Sequence, residues 1–326
     1  MTDHDMMIVA VLAVQVVLPV ALLLWLALLP ARSGLGLALQ MAGIGAALLA
    51  LALVAPGAVV PWWSPYVYGA VWAATALRHA LRAHAARMAL LPKRQLGWVS
   101  VAFGLGLLGV AGWYCEEALG ARTLPAIQVV SISNPLGPGR YLVANGGSRE
   151  IVNPHLRTLD PSVERYRAWR GQSYAIDVVG LNRWGTRAGG LRPVDPADYA
   201  IFGAEVHAPC EGDVLQVENG MPDLRVPEQD TANRLGNHVM LRCGEAVIVL
   251  AHLRQGSVAV QPGQTVTAGD PIGQVGNSGA STEPHLHVHA QGIAAASDPP
   301  VSGDPFVLRV DGRFLSRNDR IAGRDR

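Results

Sequence analysis

Met6 to Pro30 contains no charged residue and is dominated by Leu, Val and Ala. Crossing the hydrocarbon core of a bilayer takes roughly 20 apolar residues, so this run commits the N-terminal part of the chain to lipid. The start, MTDHD, is acidic, whereas a cleavable signal peptide starts basic, and the run therefore reads as a retained span. Ser33 to Leu77 is again uncharged and too long for one crossing. Pro56, Gly57, Pro61 and Pro65 divide it into two spans, about Gly34 to Val54 and about Trp62 to Leu77. The second is short and aromatic, with an interfacial placement as its alternative. Leu96 to Cys115 completes an expected set of four.

Orientation follows from the basic residues between these runs. Arg78, Arg82, Arg87, Lys93 and Arg94 separate the third and fourth spans, and Arg32 separates the first two. The positive-inside rule makes both segments cytoplasmic. With four spans, the N-terminus and everything after Cys115 then lie outside the cytoplasm. That parity depends on the third segment crossing. The expected location is the cytoplasmic membrane, multi-pass, with the C-terminal part in the periplasm or extracellular. Four spans exceed what anchoring needs, which points to a protein partner for the membrane region.

Half of all residues are apolar, 16% are charged and the mean hydropathy is +0.24, but the excess apolarity sits almost wholly before Cys115. A net charge of +1 without a basic stripe argues against nucleic acid as a partner. After Glu116 the texture changes to short β-branched runs punctuated by Gly, Pro, Asn and Asp, such as GDVLQVENG, NHVMLRCG, AVIVLAHL and PHLHVHAQ. Strand-length runs with turn signals this close predict an all-β sandwich or barrel. The expected organisation is a transmembrane region of about four helices over 1–115, a linker over 116–134 and a β domain over 135–326. Leu181 to Ala200 lacks a period and reads as a surface loop. Cys210 and Cys243 fall on neighbouring candidate strands; a disulfide outside the cytoplasm and two buried thiols stand as alternatives.

PHLHVHA places His285, His287 and His289 at every second position. In an extended strand all three imidazoles face one way while Leu286, Val288 and Ala290 face the other. Asp177 lies inside an apolar run, Ile176 to Val179, where an acid is more often paired or metal-bound than solvated. Catalytic zinc takes three protein ligands and leaves one position open. His252 ends an apolar strand, while His207 and His238 read as structural.

In order along the chain, YAID, GNHVML, VIVLAHL, VQPGQTVTAGDPIGQVGNSG and PHLHVH resemble the lysostaphin-like zinc metallopeptidases over about Pro135 to Phe306. The resemblance implies a β-rich fold, the duplicated hybrid motif, and cleavage of peptide bonds in bacterial peptidoglycan. It implies Asp177 and His287 as Zn2+ ligands. It implies His252 and His285 as catalytic histidines that orient or deprotonate the water and stabilise the oxyanion. The family's further ligand, a histidine four residues before the aspartate, is here Ser173. His155, in REIVNPHL, is the favoured substitute, since an N-x-H segment accompanies QxYAxD in a branch of the family. His289 is the alternative, or a partner to the ligands.

The expected function is a membrane-anchored zinc endopeptidase that hydrolyses peptidoglycan peptides outside the cytoplasm by a zinc-activated water and two histidines. The alternative is a non-catalytic, degenerate member that binds peptidoglycan or regulates a cell-wall amidase.

Overall fold

Most of the uncharged N-terminal sequence is helical. The computed structural model describes residues 3–295 and 297–323 and divides the chain into two units, Met1–Ala55 with Val60–Leu119, and Pro56–Val59 with Gly120–Arg326. In the first, α1 (Asp3–Leu12) passes through a π turn at Ala13–Val17 into α2 (Leu18–Leu28). There follow α3 (Gly34–Val54), α4 (Ser64–Ala85) and α5 (Gln95–Gly120). Ser33 caps α3 by accepting the Gly36 N–H. Leu24, Leu28, Phe103, Leu105 and Val110 turn apolar surface outward, which is stable in lipid and costly in water. A Cβ on Gly43 would lie 2.9 Å from Gly104 O, so α3 and α5 meet at the small residues that let membrane helices approach closely.

Among the described residues, three helices are long and apolar enough to cross a membrane: Ile8–Leu28, Gly34–Val54 and Gln95–Gly120. The expectation of four differs at its third segment. Trp62 to Leu77 falls largely within α4, but that helix continues to Ala85 and takes Arg78, His79, Arg82 and His84 with it. Helical hydrogen bonding does not stop where an apolar run stops, and the added charge removes α4 from the set.

The second unit is mostly antiparallel sheet. Its strands are β1 (Val129–Ile132), β2 (Arg140–Asn145), β3 (Ile176–Gly180), β4 (Glu205–His207), β5 (Gly212–Glu218) and β6 (Asn237–Cys243). They continue with β7 (Ala246–Leu253), β8 (Thr265–Val266), β9 (Pro271–Gln274), β10 (Leu286–Gln291), β11 (Pro305–Val310) and β12 (Arg320–Ala322). The main sheet runs β12-β2-β3-β10-β7-β6-β5-β8, with β11 joining β10 and β1 pairing β11 in parallel, while β4 and β9 form a separate pair.

Alternation sets the faces. Ile176, Val178, Leu286, Val288 and Ala290 enter the main core with Val239, Leu241, Ile248 and Leu250. The opposite face is covered by a second cluster that includes Leu235, Met240, Val249, Ala251 and Val301, with Trp169 against it. With both faces of β10 covered, its polar side chains are buried and must find partners inside the protein.

The segment Leu181–Ala200 is irregular, as expected, but not wholly superficial. Arg187, Ala188 and Tyr199 are buried, and Ala188 bridges Tyr199. Cys210 and Cys243 are disulfide-bonded, with Cα atoms 6.1 Å apart, which decides between the two sequence alternatives.

Candidate metal centre and active site

β10 lies between β3 and β7, and register brings the site together. His287 is opposite Asp177 on β3 and opposite Ala251 on β7, and Asp177 is opposite Asn145 on β2 through a bulge. Directly paired residues project to the same face, so Asn145, Asp177 and His287 form one row across three strands. His287 Nδ1 is 2.9 Å from Asp177 Oδ1. Asn145 Nδ2 donates to Asp177 Oδ2 at 2.8 Å.

His155 reaches this row from outside the sheet. The 3₁₀ turn Pro154–Leu159 starts at Asn153, whose Oδ1 accepts the His155 N–H and whose Nδ2 donates to Gly147 O and Ala175 O. His155 Nε2 then stands 2.8 Å from Asp177 Oδ2. Ser173, where the family pattern expects a histidine, is fully buried. Its hydroxyl donates to Arg170 O and lies 2.8 Å from Thr158 Oγ1, which is itself 2.8 Å from His155 O. The residue that replaces a ligand thus braces the turn that offers another.

The donor atoms of His155, Asp177 and His287 all lie within 4.8 Å of one another. Two imidazole nitrogens and a carboxylate oxygen, converging, with His155 half-buried and Asp177 and His287 buried, are the donor set that zinc accepts at about 2.0–2.2 Å, and the residues fit such an ion. His289 is not in this group. Its Nδ1 is 2.9 Å from His287 Nε2, one layer behind.

His252 and His285 face the same cleft, which encloses about 230 Å³ and is also lined by Trp169, Gln172, Arg234 and Glu283. Their rings are 4.7 Å apart. His252 has φ 61°, a conformation uncommon outside glycine that persists only where its surroundings enforce it. The enforcement is visible: its N–H donates to Leu235 O and its Nδ1–H to Ser278 O. Ser278 is fixed in turn by its own bonds to Leu253 O and Asn237 N. Gly236 and Gly279, both at positive φ, allow this, since a Cβ on either would strike the other's segment.

His285 Nδ1–H is shared between Glu283 O and Ser281 Oγ, and its Nε2 lies 3.7 Å from Asp177 Oδ1. Arg187 grips the Glu283 carboxylate through Nε and Nη2 at 2.8 Å, anchoring the turn that carries His285. His207 sits near Glu205, and His238 bonds Gly236 O; both are apart from the cleft.

Burial alone would raise the Asp177 carboxyl, but the charges of His155 and His285 and hydrogen bonds from His155 and His287 outweigh it and hold the group well below the usual range. Burial, reinforced by the charges of His285 and His287, holds His252 well below the usual histidine value. Asn145, Ser281, Glu283, Arg187 and Arg317 are absent from the sequence reading, and Asn153 enters it only as the first residue of N-x-H. Only Asn153 carried a signal there, an Asn directly before a proline, which marks a helical start.

A β domain that aims two imidazoles and a carboxylate at one point, with two more histidines lining the same cleft, has the donor set and the acid–base groups that metal-assisted hydrolysis requires. Residues 195–299 match the profile of peptidase family M23. His155 and Asp177 precede the matched residues. An uncharacterized metalloprotease of Haemophilus influenzae is 31% identical over 201 residues, covering 60% of this chain. The chain spans 38% of the length of that curated relative. Among solved structures, the catalytic domain of lysostaphin from Staphylococcus simulans is similar at 22% identity and TM-score 0.25, over 39% of this chain and 74% of that one. A zinc-containing peptidase from Vibrio cholerae is similar at 22% identity and TM-score 0.22, over 36% and 46%.

Proposed function

We propose that this chain is a membrane-anchored zinc endopeptidase that cuts peptide bonds of peptidoglycan outside the cytoplasm. The observation that carries the proposal is the convergence of His155 Nε2, the Asp177 carboxylate and His287 Nδ1 beside two histidines that bond elsewhere only through Nδ1. When bound, zinc would ionise a water near neutral pH and polarise the scissile carbonyl.

The chain's own residues supply the proton handling. Carbonyl oxygens accept only, so Ser278 O fixes the proton of His252 on Nδ1 and Glu283 O fixes that of His285 on Nδ1. Each imidazole therefore presents a bare Nε2 to the cleft. His252, uncharged through burial, accepts the proton of the attacking water at Nε2 and returns it to the leaving amine. His285, the ring with a carboxylate 3.7 Å away, in its protonated form donates from Nε2 to the carbonyl oxygen as charge develops there. Arg187 and Glu283 hold that ring in place.

Topology supports the location. α5 follows directly on the basic segment Arg78 to Arg94. If that segment is cytoplasmic, one crossing by α5 exports everything after Gly120, whether or not α4 also crosses. The parity of the spans then decides the sides of the N-terminus and of Arg32. The Cys210–Cys243 disulfide agrees with an oxidising compartment.

The test is zinc content and cleavage of purified peptidoglycan by the full chain in detergent, beside His155→Ala. About one zinc per chain with chelator-sensitive cleavage, both lost in the variant, is the expected result. Zinc retained in the variant would move the third ligand elsewhere. A folded native chain without zinc or cleavage would leave a wall-binding domain as the better reading.

A further inference from the structure

One face of β10 is polar from end to end: His287, His289 and Gln291, each buried. Two of its atoms stand out. His289 Nε2 and Gln291 Oε1 are buried and have no hydrogen-bond partner, although the Gln291 side chain is near enough to bias the His289 ring toward protonation. Buried groups of this kind are rare and call for a reason.

Hydrogen-bond direction supplies one. A carboxylate only accepts, so with no cation present His287 donates its Nδ1–H to Asp177 Oδ1, across 2.9 Å. Its Nε2 is then bare and accepts from His289 Nδ1–H, also across 2.9 Å. That leaves His289 Nε2 bare. Gln291 cannot help, because its Nε2 donates to Pro300 O at 2.6 Å and so turns its acceptor Oε1 the other way. Two acceptors are left without a proton between them. Gly171 holds the amide there, since a Cβ at that position would collide with Gln291 Oε1.

A cation on His287 Nδ1 reverses every direction. Nδ1 must be bare, so Nε2 carries the proton and donates to His289 Nδ1. His289 then carries its proton on Nε2, toward Gln291 Oε1. The proton on His289 Nε2 then lies on the side of the Gln291 amide that already acts on this ring, and the buried Nε2 is no longer a bare acceptor. The two rings hold two protons in either state: His287 Nδ1 gives one to water, one crosses from His289 to His287, and His289 Nε2 takes one from water.

We propose that His289 and Gln291 are positioning residues that form a tautomer relay behind His287, completed only when a divalent cation occupies Nδ1 of that ring. The relay rests on the metal-site reading above and adds to it residues that touch neither cation nor substrate. It accounts for the second histidine of β10, His289, without making it a ligand.

Zinc itself is the probe. The metal-stripped full chain in detergent is titrated with Zn2+ against a competing chelator, beside His289→Phe and His289→Gln. Loss of the acceptor behind His287 lowers zinc affinity roughly 10- to 100-fold in His289→Phe, and His289→Gln, which restores an acceptor, recovers most of it. Long-range nitrogen–proton NMR of the histidine-labelled native protein needs no substitution. Zinc moves the proton of both His287 and His289 from Nδ1 to Nε2. Zinc affinity within twofold of native in His289→Phe, or a His289 that keeps its Nδ1 proton in the zinc-loaded protein, overturns the relay and leaves the metal site intact. A native chain that binds no zinc overturns both.

Discussion

Asp177 and His287 face each other across β3 and β10, the carboxylate Oδ1 2.9 Å from the imidazole Nδ1. Asp177 also holds His155 on its other oxygen, so it is the hinge of the donor set. Asp177→Asn keeps the shape and removes the charge. Metal affinity is expected to fall by at least about 100-fold with cleavage, read by metal analysis after dialysis. Stoichiometric zinc in that variant would discard the assignment of Asp177 as a ligand.

Substituting His252 or His285 by Ala separates chemistry from binding. Neither contributes an atom to the group that could hold the ion, so zinc content stays near native. Cleavage is expected to fall about 10²- to 10⁴-fold. A variant that loses zinc together with cleavage would show the residue to be a ligand.

Arg317 supports the row from behind. It donates to Ala144 O, Ile151 O and Asn145 Oδ1, and Asn145 in turn holds Asp177. Arg317→Met leaves these half-buried acceptors without their donors, at no more than about 1–3 kcal/mol each. Both thermal stability and zinc affinity are expected to drop. An unchanged melting temperature would remove Arg317 from the support of the site.

Reduction of Cys210–Cys243, or Cys243→Ser, opens a loop that the disulfide closes over a sequence separation of 33 residues. Chain entropy puts the loss at about 3–4 kcal/mol. Thermal or urea unfolding with and without reductant measures it, and coincident curves would refute it.

Without metal, stability should fall with acid. Burial first, then neighbouring histidine charges, holds His252 and His289 well below 6.5 in the fold, and burial lowers His238. Unfolded, the same groups titrate near 6.5, so below that pH the unfolded chain binds more protons. Their contribution is complete above about pH 6.5 and is lost as pH falls through that value, by about 1.4 kcal/mol per pH unit per group. Asp177, held well below 3.8, contributes no slope until far lower pH. Melting of the stripped protein between pH 8 and pH 5 should decline steadily; a flat or rising profile would contradict the burial of neutral imidazoles.

The face shared by His285, His287 and His289 was legible because strand periodicity is local: six residues suffice to show it. Asp177 was legible as an acid in an apolar run. His155 comes within reach only through Ser173 and the N-x-H resemblance, because nothing in the physics of its own segment states that a 3₁₀ turn will swing it toward β3. Asn145 could not be read at all. Its place beside Asp177 comes from a bulge in the β2–β3 pairing, and Arg187 meets Glu283 across 96 positions. The third membrane segment is harder to read for a related reason, since its apolar run ends before the helix does.

All of the β10 contribution to the site rides on one parity. Sliding that strand by one residue against β3 and β7 would turn every imidazole into the aliphatic core and Leu286, Val288 and Ala290 into the cleft. Correct pairing and ion capture therefore stand or fall as one event, and a bound ion would certify the sheet's assembly. A chain whose β10 pairs out of register would betray itself by failing to hold metal.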